Sequence, residues 1–378
     1  MKHHNSSLKL LLLSSVRAMG GQAVINGVMM RGEEKYAVAV RRMDDSIDIK
    51  DFDVPTFAKK FQKVFFVRGI MGLGEAMGLG YRALMHSANI SMKDEEAKLT
   101  LEEKKKVANS NLHSTSSEAV EFHSDSNPQL SSTSEVSTLA KDKVEDKPLS
   151  KWVVGVSVLF SIAFFVAFFK VGPLLFANLL KNMFHLTKWS QIAIESVFRL
   201  VIFIGYLYLV SLSKDIKNVF QYHGAEHKAI AAYENDVVLT PQAAQQFKTA
   251  HVRCGTNFLL IVMVMSAFFY VGLSVVIPNM NFLTLVLSRV FAIPIIAGIS
   301  YEVLKAASFK MRNRFTRALV WPGLTLQKVT TRAPSDAQCE VAIASLNAVF
   351  TPDQIEEVNS RSKIKAELSW QILKEITL

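Results

Sequence analysis

The sequence predicts an α-helical membrane protein with about four transmembrane helices, a small N-terminal antiparallel β region and C-terminal cytoplasmic helices. Three observations lead there. Half of the residues are apolar, 25 of them Phe, and the mean hydropathy of +0.22 is high for a chain wholly surrounded by water. Four apolar segments are long enough to cross a bilayer. Basic residues collect beside those segments, where topology requires them. That placement explains the excess of 43 Lys and Arg over 33 Asp and Glu, a net charge of +10, without a nucleic-acid partner. Cys254 and Cys339 are the only cysteines, too few for a disulfide framework, so a reduced compartment is expected.

Residues 1–90 read as a β-sheet followed by a glycine-rich helix. Lys2 and Lys9 precede the apolar run Leu10 to Leu13, but the run is short for a signal-peptide core and Arg17 interrupts the stretch beyond it, so no cleavage is expected. Three strand-like stretches come next: Ala23 to Met30, Tyr36 to Arg42 and Ile47 to Val54. Turn signals at Arg31-Gly32-Glu33 and Asp44-Asp45-Ser46 separate them. From Phe57 to about Asn89 the spacing turns helical, interrupted by Gly69, Gly72, Gly74, Gly78 and Gly80. Each glycine costs a solvated helix about 1 kcal/mol, so this helix is expected to pack tightly on another or to lie at a membrane surface. Residues 91–150, rich in Ser, Lys, Glu and Asp, read as a flexible polar linker with one short helix at Glu95 to Ala108.

The first two transmembrane helices are placed in 151–212 and the last two in 257–300. Trp152 to Phe169 holds 18 residues without a charge and continues past Lys170 to Leu180. Ile192 to Leu212 is the second segment, then come Phe258 to Ile277 and Phe282 to Ile299, the last pair joined by Pro278-Asn279-Met280-Asn281. Lys305, Lys310, Arg312, Arg314 and Arg317 lie just beyond the last segment, and Lys214, Lys217, Lys228, Lys248 and Arg253 lie in the central loop. The first connection has only Lys181 and Lys188, so both termini and the central loop are expected in the cytoplasm. Glu195 and Arg199 lie four apart on one helix face and can neutralise one another. Arg289 has no partner on its own helix; Glu195 and an anionic lipid headgroup are both open to it.

The most specific local signal lies in the loop 213–256. Tyr222-His223-Gly224-Ala225-Glu226-His227 matches the H-x-x-E-H order of inverted zinc peptidases. On a helix running from an N-cap at Ser213 to Glu234, the two histidines share a face and Glu226 sits beside them. His251 and Cys254 lie just before the third span, with Glu234 as a further donor. Expected metal ligands are therefore His223, His227, His251 and Cys254, holding a divalent ion, zinc by preference, with Glu226 as the catalytic base. The competing account makes these side chains polar packing at the membrane surface and Cys254 a small buried hydrophobe.

The chain also resembles the YqhQ-like family of bacterial integral membrane proteins, often labelled metal-dependent enzymes. The resemblance covers almost the whole chain apart from the linker and the last few residues. Gly20 to Gly32, Arg68-Gly69, Tyr222 to Lys228 and Arg253-Cys254-Gly255-Thr256 carry it. Tyr301-Glu302, Pro322 to Gln327 and Thr330-Thr331-Arg332 add to it. Asn26 and Ala333 stand where the family usually shows Glu, which argues against either position being an indispensable ligand or base. The resemblance implies a multi-pass protein of the bacterial cytoplasmic (inner) membrane.

Residues 301–378 read as cytoplasmic helices. Ser335 and Gln338 form a capping-box pattern, Thr351-Pro352 starts another helix, and Trp370, Ile372, Leu373 and Ile376 give a last amphipathic stretch. Two functions stand against each other. One is a metal-dependent hydrolase acting on a peptide or lipid substrate at the cytoplasmic face. The other is a non-catalytic scaffold or assembly factor with a structural His/Cys cluster, partnered by another membrane protein or a second copy of itself. Transport past Glu195, Arg199 and Arg289 is weaker, because four spans enclose a small pore unless the protein oligomerises. No phosphate-binding loop of the G-x-x-x-x-G-K type is present, which argues against nucleotide hydrolysis.

Overall fold

Four strands form an antiparallel meander in the order β1 (Gly20–Val24), β2 (Gly27–Arg31), β3 (Lys35–Arg41) and β4 (Ile47–Asp53). The computed structural model describes residues 19–55, 57–61, 63–114, 151–309 and 314–376. The leader-like run, most of the linker, Lys310 and Arg312 lie outside them. The stretch Ala23 to Met30, expected as one strand, is a hairpin: Val24 pairs with Gly27 and the chain reverses through Ile25 and Asn26. Asn26 takes a left-handed φ of 52° at the second turn position, where such a φ favours Gly or Asn.

Both faces of the sheet are covered, which is why β2 and β3 are buried at successive positions rather than alternately. Val28, Met30, Ala37 and Ala39 pack against the helices that carry Ala225, Ala229, Ile230, Val341, Ala342 and Leu346. The other face, with Met29, Tyr36, Val38 and Val40, packs against Leu79 and Ala83 of α1 (Val67–Ser114). The fully buried Ser345 fastens one helix to the sheet, accepting from Met30 N–H at 3.0 Å and donating to the Ala37 carbonyl at 2.9 Å.

Helix α1 runs unbroken for 48 residues. The short helix expected at Glu95 to Ala108 is its C-terminal part, because Ala, Leu, Glu and Lys dominate there and oppositely charged neighbours support the helix. Of its glycines, Gly69 lies against Tyr301 and Gly80 against Gln22, while Gly72, Gly74 and Gly78 have open space around them. Tight packing therefore explains two of the five. Glu302 receives Arg68 Nε at 2.7 Å and Phe66 N–H at 3.2 Å, fixing the start of α1.

Residues 95–168 separate as a second unit from the rest of the chain. They hold the end of α1 and α2 (Lys151–Val166), with the Phe164 and Phe168 rings stacked at 5.8 Å. A π-helical turn, Ala167–Val171, leads to α3 (Gly172–Phe184). Beyond it come helices α4 (Lys188–Val210), α5 (Lys214–Glu234), α6 (Pro241–Gln245), α7 (Gly255–Val276), α8 (Phe282–Phe309), α9 (Arg314–Thr330), α10 (Asp336–Ala348) and α11 (Pro352–Ile376). The C-terminal pieces expected as two helices are the single α11; the side chains from Trp370 onward lie outside the described ones. The Ser335–Gln338 capping box forms as expected.

Four helical stretches are long and apolar enough to cross a membrane: Gly155–Phe184, Lys188–Val210, Gly255–Val276 and Phe282–Ala307. Their exposed side chains include Leu209, Phe268, Val275, Leu283 and Phe291, an apolar surface suited to lipid. Their buried ionisable residues converge. Arg289 grips Glu195 with two bonds, Nε to Oε1 at 2.8 Å and Nη2 to Oε2 at 2.6 Å. Arg199 adds a third to Oε1 at 2.5 Å. Of the two partners open to Arg289 in the sequence, Glu195 is the one it meets.

Candidate functional site

Helix α5 carries His223, Glu226 and His227 and packs against both the sheet and α10, the two helices sharing one face of the sheet. Ser213 is its N-cap by backbone geometry, although its side chain makes no cap bond. Cys254 is the N-cap of α7, where the helix dipole favours a negatively charged ligand. The ligand atoms of His223, His227 and Cys254 lie within 4.8 Å of one another. His223 Nε2 is 3.3 Å from Cys254 Sγ, His227 also engages that sulfur, and the two imidazole centroids are 4.5 Å apart.

The other nitrogen of each imidazole is tied to backbone. His223 Nδ1 meets the Thr330 carbonyl at 2.8 Å, and His227 Nδ1 meets the Thr249 carbonyl. A carbonyl only accepts, so both rings carry their proton on Nδ1 and turn an Nε2 lone pair toward the sulfur. Metal-binding histidines are oriented in this way by an outer partner. Burial lowers the pKa of His227 and of His251 below the usual imidazole range, which favours the neutral form that a ligand requires. A thiolate with two such imidazoles suits zinc and leaves room in a tetrahedral shell for one further ligand.

His251 stands beside this group of three, its ring centroid 5.5 Å from that of His227 and its Nε2 3.5 Å from Glu234 Oε2. Glu234, a further donor by sequence, is paired with Arg253. The backbone of His251 is clamped by Gln327, which accepts its N–H and donates to its carbonyl, both at 2.8 Å. Glu226 is buried and accepts the N–H of Gly21 in β1. Burial raises its pKa, opposed by the neighbouring imidazoles and the Gly21 N–H.

Two glycines allow the close approaches that build this arrangement. A Cβ on Gly21 would stand 2.8 Å from Glu226 Cγ, and one on Gly224 would stand 2.1 Å from the Arg332 carbonyl oxygen. Gly224 thereby lets the segment after α9 pass directly over α5, where Arg332 N–H bonds the Phe220 carbonyl at 2.9 Å. Sequence reasoning assigns no role to Thr249, Gln327 or Thr330. Gln327 and Thr330 lie in motifs of the family resemblance, but two of the contributions are backbone carbonyls, which no side-chain pattern reveals. Asn26 meets Asn218 at 2.8 Å, and the Ala333 carbonyl lies 3.5 Å from Gln221 Nε2; neither contact involves a side chain of the cluster.

Residues 64–352 match the family described as "Protein of unknown function (DUF1385)". The chain is also 35% identical over 350 residues to "Uncharacterized protein YqhQ" of Bacillus subtilis (strain 168), covering 91% of this chain and 96% of that protein. No solved structure matches it. With that coverage and the residues 20–32, 222–228 and 253–256 that shape the site, the chain belongs to the YqhQ-like DUF1385 family.

Proposed function

We propose that the protein is a metal-dependent hydrolase of the bacterial cytoplasmic membrane, with both termini and the α5 loop in the cytoplasm and a peptide or lipid substrate reaching the site from the bilayer surface. One observation supports it above the rest: His223 and His227 present preset Nε2 lone pairs to the Cys254 sulfur. A divalent ion of the zinc type, when bound there, supplies a Lewis acid that acidifies water and polarises a carbonyl. The chain's own part is to orient the imidazoles through Thr249 and Thr330, to hold His251 through Gln327, and to keep a proton-transferring carboxyl, Glu226, in a water-poor setting.

Elemental analysis of detergent-purified protein tests the reading. Zinc or a related ion should accompany the wild type and leave the His223→Ala, His227→Ala double variant; equal metal in both removes the proposal. Glu226→Gln should retain the metal and lose function in a cell-based complementation assay.

One contact favours a second reading, a scaffold with a structural cluster. The Glu226 carboxyl is bonded by the Gly21 backbone, as a group that fastens sheet to helix would be. On that reading Glu226→Gln keeps both metal and function, while substitutions on the open side of Gly72, Gly74 and Gly78 abolish function.

A further inference from the structure

The second buried polar centre has an unbalanced charge. Arg199, Arg289 and Lys170 are each more than nine-tenths buried, at 2%, 3% and 8% exposure, and Glu195 is the carboxylate among them. Both oxygens of Glu195 are already engaged by the two guanidinium groups. Lys170 lies within electrostatic reach of all three residues, on the π-helical turn that interrupts the first span. Such turns are frequent at functional sites.

Hydrogen-bond donors are also left over. Tyr270, 2% exposed, lies beneath both arginines, with guanidinium carbons 3.9 Å and 5.4 Å from its ring centroid. Its hydroxyl has no hydrogen-bond partner among the described residues, nor has Arg199 Nε. A cavity of about 100 Å³ opens beside them, lined by Tyr270, Arg289, Glu195, Gln191, Lys181 and Lys188. Lys188 in its lining is held by the Ser274 and Pro278 carbonyls, each at 2.8 Å, neutral acceptors that bring no counter-charge. Buried cations in a low-dielectric setting call for an anion, and a surplus of donors calls for acceptor oxygens.

We propose that this cavity binds a phosphate-type oxyanion, either free or as the headgroup of an anionic lipid, through Arg289, the Tyr270 hydroxyl and the Lys181–Lys188 pair. The volume accepts one phosphate-sized group. Tyr270 lies sixteen residues beyond Cys254 on α7, about 24 Å along a helix rising 1.5 Å per residue. The oxyanion site is therefore separate from the His/Cys cluster and independent of its chemistry.

The full-length protein in neutral detergent provides the test. In one arm, thermal unfolding is followed against inorganic phosphate, with chloride at equal ionic strength as the control. In the other, phosphatidylglycerol retained through purification is measured by native mass spectrometry. Stabilisation by phosphate identifies a free oxyanion, and retained phosphatidylglycerol identifies a headgroup; either supports the site, provided Tyr270→Phe and Lys181→Gln each weaken the response about tenfold, the worth of one hydrogen bond to a charged group. Tyr270→Phe keeps the ring under the arginines, so its fold should be preserved. An equal effect of chloride, no response in either arm, or a Tyr270→Phe variant that responds like the wild type overturns the proposal.

Discussion

The His/Cys cluster and the Arg/Glu centre are both buried polar groups on the same helical framework, yet the atoms they can offer a ligand have opposite character. At the cluster, backbone carbonyls take up the imidazole donors, and two nitrogen lone pairs and a sulfur remain. At the Arg/Glu centre, one carboxylate takes up guanidinium donors, and a phenol hydroxyl, a guanidinium N–H and positive charge remain. A surplus of acceptors suits a cation; a surplus of donors suits an anion. The sign of a ligand is set by which half of the hydrogen-bonding inventory the protein leaves open.

The sharpest way to break this contrast is Glu195→Ala, which leaves Arg199 and Arg289 buried without a counter-charge. A loss of about 3–5 kcal/mol is expected, seen as collapse of the monodisperse peak in fluorescence size-exclusion chromatography. Replacing Glu195, Arg199 and Arg289 together by Met should restore a folded protein, since apolar groups of similar volume are tolerated where an ion triad stood; that variant should have lost its phosphate response. At the other centre, Gly224→Ala places a methyl against the Arg332 carbonyl and should cost about 1–3 kcal/mol by overpacking, with weaker zinc retention because α5 must shift. Gln327→Leu frees both hydrogen bonds of the His251 backbone and should lower the thermal midpoint by an amount equivalent to about 1–3 kcal/mol, without emptying the three-ligand group.

Smaller effects lie outside both centres and set the baseline. The guanidinium of Arg42 and the Met43 N–H hold the Asp94 carboxyl below the ordinary carboxylate range. That contribution is present above the unfolded pKa and is lost as pH falls through the lowered folded value. Asp94→Asn should therefore reduce the thermal midpoint near neutrality, and the difference from wild type should close in acid. Gly72→Ala meets open space and should stabilise α1 by about 1 kcal/mol, the opposite sign to Gly224→Ala.

Much of the fold is legible in the sequence because its signals are local. Uninterrupted apolar runs mark the four membrane-length helices, and Ser335 with Gln338 marks the start of α10. The hairpin at Asn26 is hidden because alternation from Ala23 to Met30 continues across a turn whose two residues, Ile25 and Asn26, are not a standard tight-turn pair. The length of α1 is hidden because a polar composition suggests a linker even where the residues favour helix. At the cluster, the four-residue spacing of His223 and His227 is visible in the sequence. The meeting with Cys254, 27 residues downstream of His227, depends on how α7 returns beside α5.

By itself the sequence determined that four stretches seek an apolar environment and that two imidazoles and a carboxyl share one helical neighbourhood, since both arise from periodicity along a single element. Tertiary structure alone decided that Cys254 rather than His251 completes the closest group, that Arg289 finds Glu195 across the bundle, and that Thr249, Thr330 and Gln327 fix the histidines. These pairings join residues distant along the chain, and several use backbone atoms common to every amino acid. Their energies depend on distance and burial in three dimensions, quantities that no linear spacing encodes.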